Sequence, residues 1–398
     1  MKKQKRIYLD YGATTPLDSA VLKVIEQSFK NCYGNPASLH EEGRYAKKVL
    51  EDARASIAQA LFAAPSEIIF TGGGTESNNL ALLGLIESFK KTHPDVVPHV
   101  ITTSIEHSSV LETLKKIEGS GAEVTYIKPT PDGLIDPKEL REALRPTTLL
   151  ISVMYANNEI GTILPLGDIA KVARHFRNEK KSVYNIRAPY LHTDAAQALQ
   201  YLDVNTAKLG FDLMSLDSGK IYGPKGVGAL YIKRGTPVSA QSIGGGQETG
   251  LRSGTENVPL IVGFAKAVEI NEKMKAKESV RVSNLRDYFI KKLLSIPGTT
   301  LNGGTKDRLP NNVSICLEGL DAEFAVYQLD KRGIAVSSAS TCMSLKEDSY
   351  SYVVEEIGKG DCKASSLRFS LGRTTTKKDI DVCIKALLEI LSVQFRRA

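Results

Sequence analysis

Short apolar or β-branched runs alternate with amphipathic stretches along most of this 398-residue chain. The runs fall at residues 67–71, 99–103, 123–127, 148–154, 190–193, 212–216 and 228–232. Between them apolar positions recur at helical spacing: Leu80, Leu83 and Ile86 within residues 76–91, and Ile169, Val172 and Phe176 within residues 166–180. A strand that is apolar throughout is buried on both faces, and strands alternating with helices build a parallel sheet sandwiched between helices. The pattern therefore predicts an α/β fold with a mostly parallel central sheet. Near residue 258 it changes. Helical periodicity over 259–276 and again over 283–296 leads to strand candidates at 312–317, 334–338 and 366–370, and a closing helix spans 378–395. This predicts a large domain of residues 15–258 and a smaller α+β domain made of 1–14 and 259–398.

Composition narrows the class. Hydrophobic residues make up 42% and charged residues 24%, ample for a core and unlike a disordered chain. No run approaches the ~18 apolar residues of a membrane span, so no membrane partner is expected. The net charge of +7 is a mild basic bias that suits an anionic small molecule and falls short of a nucleic-acid footprint. The basic residues 1–6 precede no apolar segment of signal-peptide type, so a cytoplasmic protein is expected. Its five cysteines are odd in number, widely spaced and without a CxxC pair. Neither a disulfide framework nor a metal site is expected from them. The basic stretch 178–190 reads as a solvated loop.

Parallel sheets bind ligands at the carboxyl ends of their strands, so chemistry is sought there. Residues 71–76, Thr-Gly-Gly-Gly-Thr-Glu, follow a strand and open a helix, where glycine amides and the helix N-terminus, Gly74 and Thr75 above all, can cradle an anion. His107 follows the 99–103 run, Asn157 and Asn158 follow the 148–154 run, and Asp194 follows the 190–193 run with Gln197 three residues on. Lys220 sits in a tight turn among small residues, where a lysine can lose its proton and attack a carbonyl. A phosphate cradle, a histidine, an acid, an amide and a lysine thus converge on one sheet edge. That set matches what pyridoxal 5′-phosphate (PLP) requires: a Schiff-base lysine, an acid for the ring nitrogen, a phosphate cup and a flat ring to stack on.

The motifs that carry this chemistry run in order along nearly the whole chain: residues 8–16, 34–38, 75–79, 106–107, 157–161, 220–226, 244–257 and 366–373. Together they resemble the cysteine desulfurases of the NifS/IscS type, in the class V aminotransferase group. The resemblance implies a PLP-dependent fold type I (aspartate aminotransferase-like) architecture and a homodimer acting on L-cysteine. The sulfur would pass to an acceptor protein, such as an iron–sulfur scaffold or a tRNA-thiolation protein, with no direct nucleic-acid contact. It implies that Lys220 carries the cofactor, His107 stacks on its ring and moves protons, Asp194 pairs with the ring nitrogen, and Gln197 and Asn158 reach the ring oxygen or the substrate. Thr75 binds the phosphate, Thr255 reaches the phosphate of the partner subunit, and Arg368 holds the substrate carboxylate. Cys342 would be the persulfide thiol, in a segment, 340–365, that reads as a loop. The flank of the lysine departs from the family pattern. Where a serine and a histidine usually help hold the phosphate, this chain has Asp217 and Gly219. Asp217 would repel a phosphate if it pointed inward, with Ser218 as the substitute donor. A selenocysteine lyase, another class V aminotransferase, or a non-catalytic homologue acting as a binding partner are the other readings of the same residues.

Overall fold

The computed structural model describes residues 6–179, 182–184, 187–338 and 350–394. The apolar runs form a seven-stranded sheet in the order Ile68–Thr71, Gly228–Ile232, Leu213–Asp217, Tyr190–Asp194, Thr148–Ser152, His99–Thr103 and Glu123–Ile127. Among these strands Gly228–Ile232 runs against both of its neighbours, and the other pairings are parallel. Successive side chains of a strand point to opposite faces, and here both faces are dry. Ile68, Phe70, Met214, Leu216, Ala229 and Tyr231 pack into one core, while Ile69, Leu213, Leu230 and Ile232 pack into another on the opposite side. Two helices that the strand pattern did not disclose, Ser19–Asn31 and Glu41–Leu61, cover the first face with the start of a long helix. The 178–190 segment is not wholly solvated: Tyr184 is buried and its hydroxyl donates to the Thr147 carbonyl at 2.8 Å.

A buried ion pair fastens this body. Both terminal nitrogens of the Arg54 guanidinium donate to Glu248, each at 2.7 Å, and Glu248 also accepts the Phe70 amide at 2.8 Å. The Glu248 side chain is only 1% exposed. Removing one partner of such a pair strands a charge out of water. Glu248→Ala is therefore expected to lower the unfolding free energy by about 3–5 kcal/mol, read as an earlier midpoint in urea; a loss below about 1 kcal/mol would mean that water replaces the carboxylate.

The second body has a four-stranded antiparallel sheet, in the order Ser337–Ser338, Ser366–Ser370, Asn312–Leu317 and Thr299–Leu301, and a parallel pair of Ile7–Tyr8 with Ile334–Ala335. The helices expected at 259–276 and 283–296 are one continuous helix, Val258–Leu293. No glycine or proline interrupts it after Gly263, and Val282, at the expected break, is fully buried in the second core. Packing passes from one body to the other inside this helix: Ile261, Phe264 and Val268 belong to the first core, Val282, Phe289 and Leu293 to the second.

Two further expectations are corrected. Residues 340–365 are not loop throughout, since Tyr352–Glu356 is a short helix and Gly360–Cys362 a helical turn. The cysteine spacing suggested no disulfide, yet Cys316 and Cys362 are bonded to each other. Antiparallel pairing is the reason: Cys316 stands opposite Ser366, and Cys362 lies in the turn that leads into that strand. Cys32 and Cys383 are buried free thiols.

Candidate active site

The carboxyl ends of the central strands open into a cleft of about 260 Å³ closed on its far side by the second body. Gly74, Thr75, His107, Asn158, Asp194, Gln197 and Lys220 line it from the large sheet, and Arg368 lines it from strand Ser366–Ser370. Strand Leu213–Asp217 runs into a helical turn, Ser218–Lys220, that aims Lys220 into the cleft. Its Nζ donates to the carbonyls of Ala13 (2.6 Å) and Gly12 (3.2 Å). Gln197 Nε2 donates to the Gly12 carbonyl as well, at 2.9 Å.

Asp194 ends its strand with both carboxylate oxygens engaged. One accepts the Ala196 amide at 2.9 Å, and the other accepts Asn78 Nδ2 at 2.7 Å. Asn78 Nδ2 also donates to Ser109 Oγ at 2.9 Å, and Ser109 Oγ lies 2.8 Å from His107 Nδ1. That nitrogen accepts the Ser109 amide at 3.2 Å, which leaves the proton of the neutral imidazole on Nε2. Burial holds His107 below the ordinary histidine range, with the Asp194 carboxylate opposing. A neutral, oriented ring and a fixed carboxylate are thereby linked through one asparagine. Asn78 has no role in the sequence reading; the signal was its place one turn after Thr75 on the same helix, whose Leu80, Leu82 and Leu85 are fully buried.

Arg368 is 3% exposed. It donates to the Asn158 carbonyl at 3.1 Å and to Asp10 at 3.0 Å, and its Nε is buried with no partner. A guanidinium that lines the cleft and keeps one N–H without a partner suits an incoming carboxylate. Asn157, by contrast, is wholly turned inward: its side chain donates to Ile105 and accepts the Glu159 and Ile160 amides. Two buried acids, Glu106 and Glu159, lie outside the cleft lining. Burial pushes Glu106 up to about 8 and Glu159 up to about 7. Glu159 accepts the Ser351 hydroxyl at 2.5 Å and Tyr352 donates to the Glu106 carbonyl, so these acids seat the chain where it returns at Tyr350.

Two residues singled out from sequence stand elsewhere, and a third is not among the described residues. Ser218 is fully buried outside the cleft lining, with its hydroxyl at the place a Cβ on Gly223 would occupy. Its expected part in holding phosphate has no support in this position. Thr255 is exposed and outside the cleft. Cys342 lies outside the described residues.

The arrangement fits the ring end of PLP: an amine, a fixed carboxylate and a buried imidazole share one cleft. The comparisons agree. The family model described as aminotransferase class-V matches residues 7–383. A cysteine desulfurase IscS from Dictyoglomus turgidum is 41% identical over 390 residues, 98% of this chain and 95% of that one. Among solved structures, a NifS-like protein superposes with a TM-score of 0.88 at 33% identity, covering 98% of this chain and 100% of the other. SspA in complex with cysteine gives 0.77 at 34% identity, over 92% and 99% of the two chains. The chain belongs to the class V aminotransferases, a fold type I family of PLP-dependent enzymes.

Proposed function

We propose that this protein is a cysteine desulfurase that converts L-cysteine to L-alanine and passes the sulfur through Cys342 to an acceptor. The observation that carries the reading is the meeting of Lys220, Asp194 and His107 with Arg368 in one cleft. Lys220 would hold the cofactor, Asp194 would face its ring nitrogen, and His107 would lie against its ring with Asn158 and Gln197 at the edge. Bound there, PLP supplies an electron sink for the bonds at the substrate α-carbon. Arg368 binds the substrate carboxylate, and Lys220 Nζ takes and returns the α-proton. His107 Nε2 carries the proton that its own hydrogen bonds assign to it. The Cys342 thiolate takes the substrate's terminal sulfur, so that one C–S bond breaks as one S–S bond forms and the remaining carbon skeleton leaves as alanine. Support for Cys342 comes from the chain's anchor points. It comes four residues after Ser338; Ser338 itself ends a strand paired with that of Arg368, and the described chain resumes beside Glu159.

The same reading takes the protein as a cytoplasmic homodimer, with exposed Thr255 directed to the partner subunit. It takes the large domain as 15–258, the small domain as 1–14 with 259–398, and the acceptor as an iron–sulfur scaffold or a tRNA-thiolation protein. Among the described residues no helix is long and apolar enough to cross a membrane. The purified protein, supplied with PLP and L-cysteine, is expected to release alanine and acquire sulfur; sulfur-free turnover or none would overturn the proposal. Arg368→Lys keeps the charge but loses the forked geometry. It is expected to raise KM for L-cysteine about 10- to 100-fold, the worth of one or two charge-assisted hydrogen bonds, with a smaller change in kcat. An unchanged KM would place the substrate carboxylate elsewhere.

A further inference from the structure

The anion seat at the start of helix Gly74–Thr92 already holds an anion, and it belongs to the chain. Asp217 closes the strand before Lys220 and points into the cleft. Its Oδ2 accepts the Gly74 amide at 2.9 Å, and its Oδ1 accepts the Gly219 amide at 2.8 Å. Two backbone donors from different elements therefore fix the carboxylate. The helix has no cap of its own, because its N-cap is Gly73, with φ 148°. Asp217 supplies that cap from across the sheet and fills the space above the turn: a Cβ on Gly73 or Gly74 would lie 3.4 Å from Oδ2. Glu76 borders the same turn, accepting the Gly72 amide at 2.6 Å, and its charge is matched by Arg252 at 2.9 Å, so Asp217 is the carboxylate there without a cationic side chain in its hydrogen bonds.

These contacts bear on a phosphate more than on anything else PLP carries. A phosphate group of charge about −1.5 to −2 must either take the Gly74 amide from Asp217 or settle beside a carboxylate without it. Like charges at that range repel strongly in a partly buried site. The usual compensation is missing. Gly219 has no side chain, and the Ser218 hydroxyl faces Gly223. Thr75 is left as the hydroxyl that lines this end of the cleft. The ring end, with Lys220, Asp194 and His107, has no part in the conflict.

We infer that Asp217 is a specificity-determining residue that cancels the phosphate's share of binding, so that this site takes pyridoxal almost as readily as PLP. The inference rests on the proposed function only in requiring that a B6 aldehyde reacts at Lys220. The test uses the full chain stripped of cofactor. PLP and pyridoxal are titrated separately by equilibrium dialysis, and the adduct is fixed with borohydride and mapped to its lysine. For the native chain the two dissociation constants are expected to agree within about tenfold. Asp217→Asn and Asp217→Ser are each expected to tighten PLP by at least about tenfold and to leave pyridoxal within about twofold. The unchanged pyridoxal value shows that the variants keep an intact ring site. A native preference for PLP near a thousandfold, about 4 kcal/mol, would overturn the inference, as would variants that shift both aldehydes alike or weaken PLP. If neither aldehyde is fixed at Lys220 in any of the proteins, the proposed function itself fails and the inference falls with it.

Discussion

Replacement of Lys220 by alanine is expected to remove both turnover and the visible absorbance of the bound cofactor. The argument is positional. Lys220 is the lysine that lines the cleft, and its Nζ is steered by the Gly12 and Ala13 carbonyls. The nearest alternative, Lys225, belongs to the following Gly-Pro-Lys-Gly turn and lines no part of the cleft. An amine that attacks a carbonyl and then serves as a base has no substitute in an alanine side chain. A fall in kcat of at least about 10⁴-fold is expected, combining loss of the covalent anchor with loss of general-base catalysis. Borohydride reduction of the native protein followed by peptide mapping checks the assignment independently of activity. A label on Lys225, or on any lysine but Lys220, refutes it.

The second large effect separates sulfur transfer from other chemistry at the same cleft. Cys342→Ser is expected to retain the cofactor and its absorbance, to bind L-cysteine, and to form neither persulfide nor more than a trace of alanine. The division of labour follows from the residues. In the proposed reaction the groups that would hold the ring and the substrate carboxylate come from the sheet ends and from strand Ser366–Ser370, whereas the proposed sulfur acceptor, Cys342, falls in sequence between Ser338 and Tyr350. A hydroxyl is far less nucleophilic than a thiolate and cannot store sulfur. Intact mass after incubation with cysteine gives the answer: one added sulfur on the native chain and none on the variant. Undiminished alanine from Cys342→Ser would remove this thiol from the reaction and favour a selenocysteine lyase or another class V activity.

The sheet was legible because burial on both faces forces continuous apolar strands. The runs at 99–103, 123–127 and 228–232 coincide with observed strands to the residue. Helix Glu41–Leu61 was harder to see. Its buried stripe is built largely of small residues, Gly43, Ala46, Ala53 and Ala58, with the charged Arg54 among them, so Leu50, Ile57 and Leu61 are its large apolar members and the periodicity is muted. The long helix was read as two because residues 277–283 are polar and β-branched, and only the second core explains why Val282 remains helical and buried there. In the site, residues with distinctive chemistry at strand ends could be picked out singly. Their partners could not: nothing local to Asn78 says that it bridges Asp194 and Ser109, and nothing local to Asp217 says that it caps a helix beginning at Gly74. Those are long-range contacts, made by the crossing of elements distant in the chain. Cys316 and Cys362 were obscured in the same way, since only strand pairing brings them together.

The pairing of Ile7–Tyr8 with Ile334–Ala335 has a bearing on how the enzyme comes into being on the ribosome. The strands of the large sheet all lie between Ile68 and Ile232, so they can assemble while the rest of the chain is still being made. The first strand must wait for its mate, and at roughly 5–20 residues per second that delay is on the order of 20–60 s. Gly12 and Ala13, the backbone that steers Lys220, follow directly on that waiting strand, and Arg368 emerges later still. The nascent protein therefore carries Lys220 at the end of the large sheet well before Arg368, the proposed carboxylate partner on the opposite wall, has been made. The cleft is complete only once segments more than 300 residues apart, Gly12 with Ala13 and the strand of Arg368, have met.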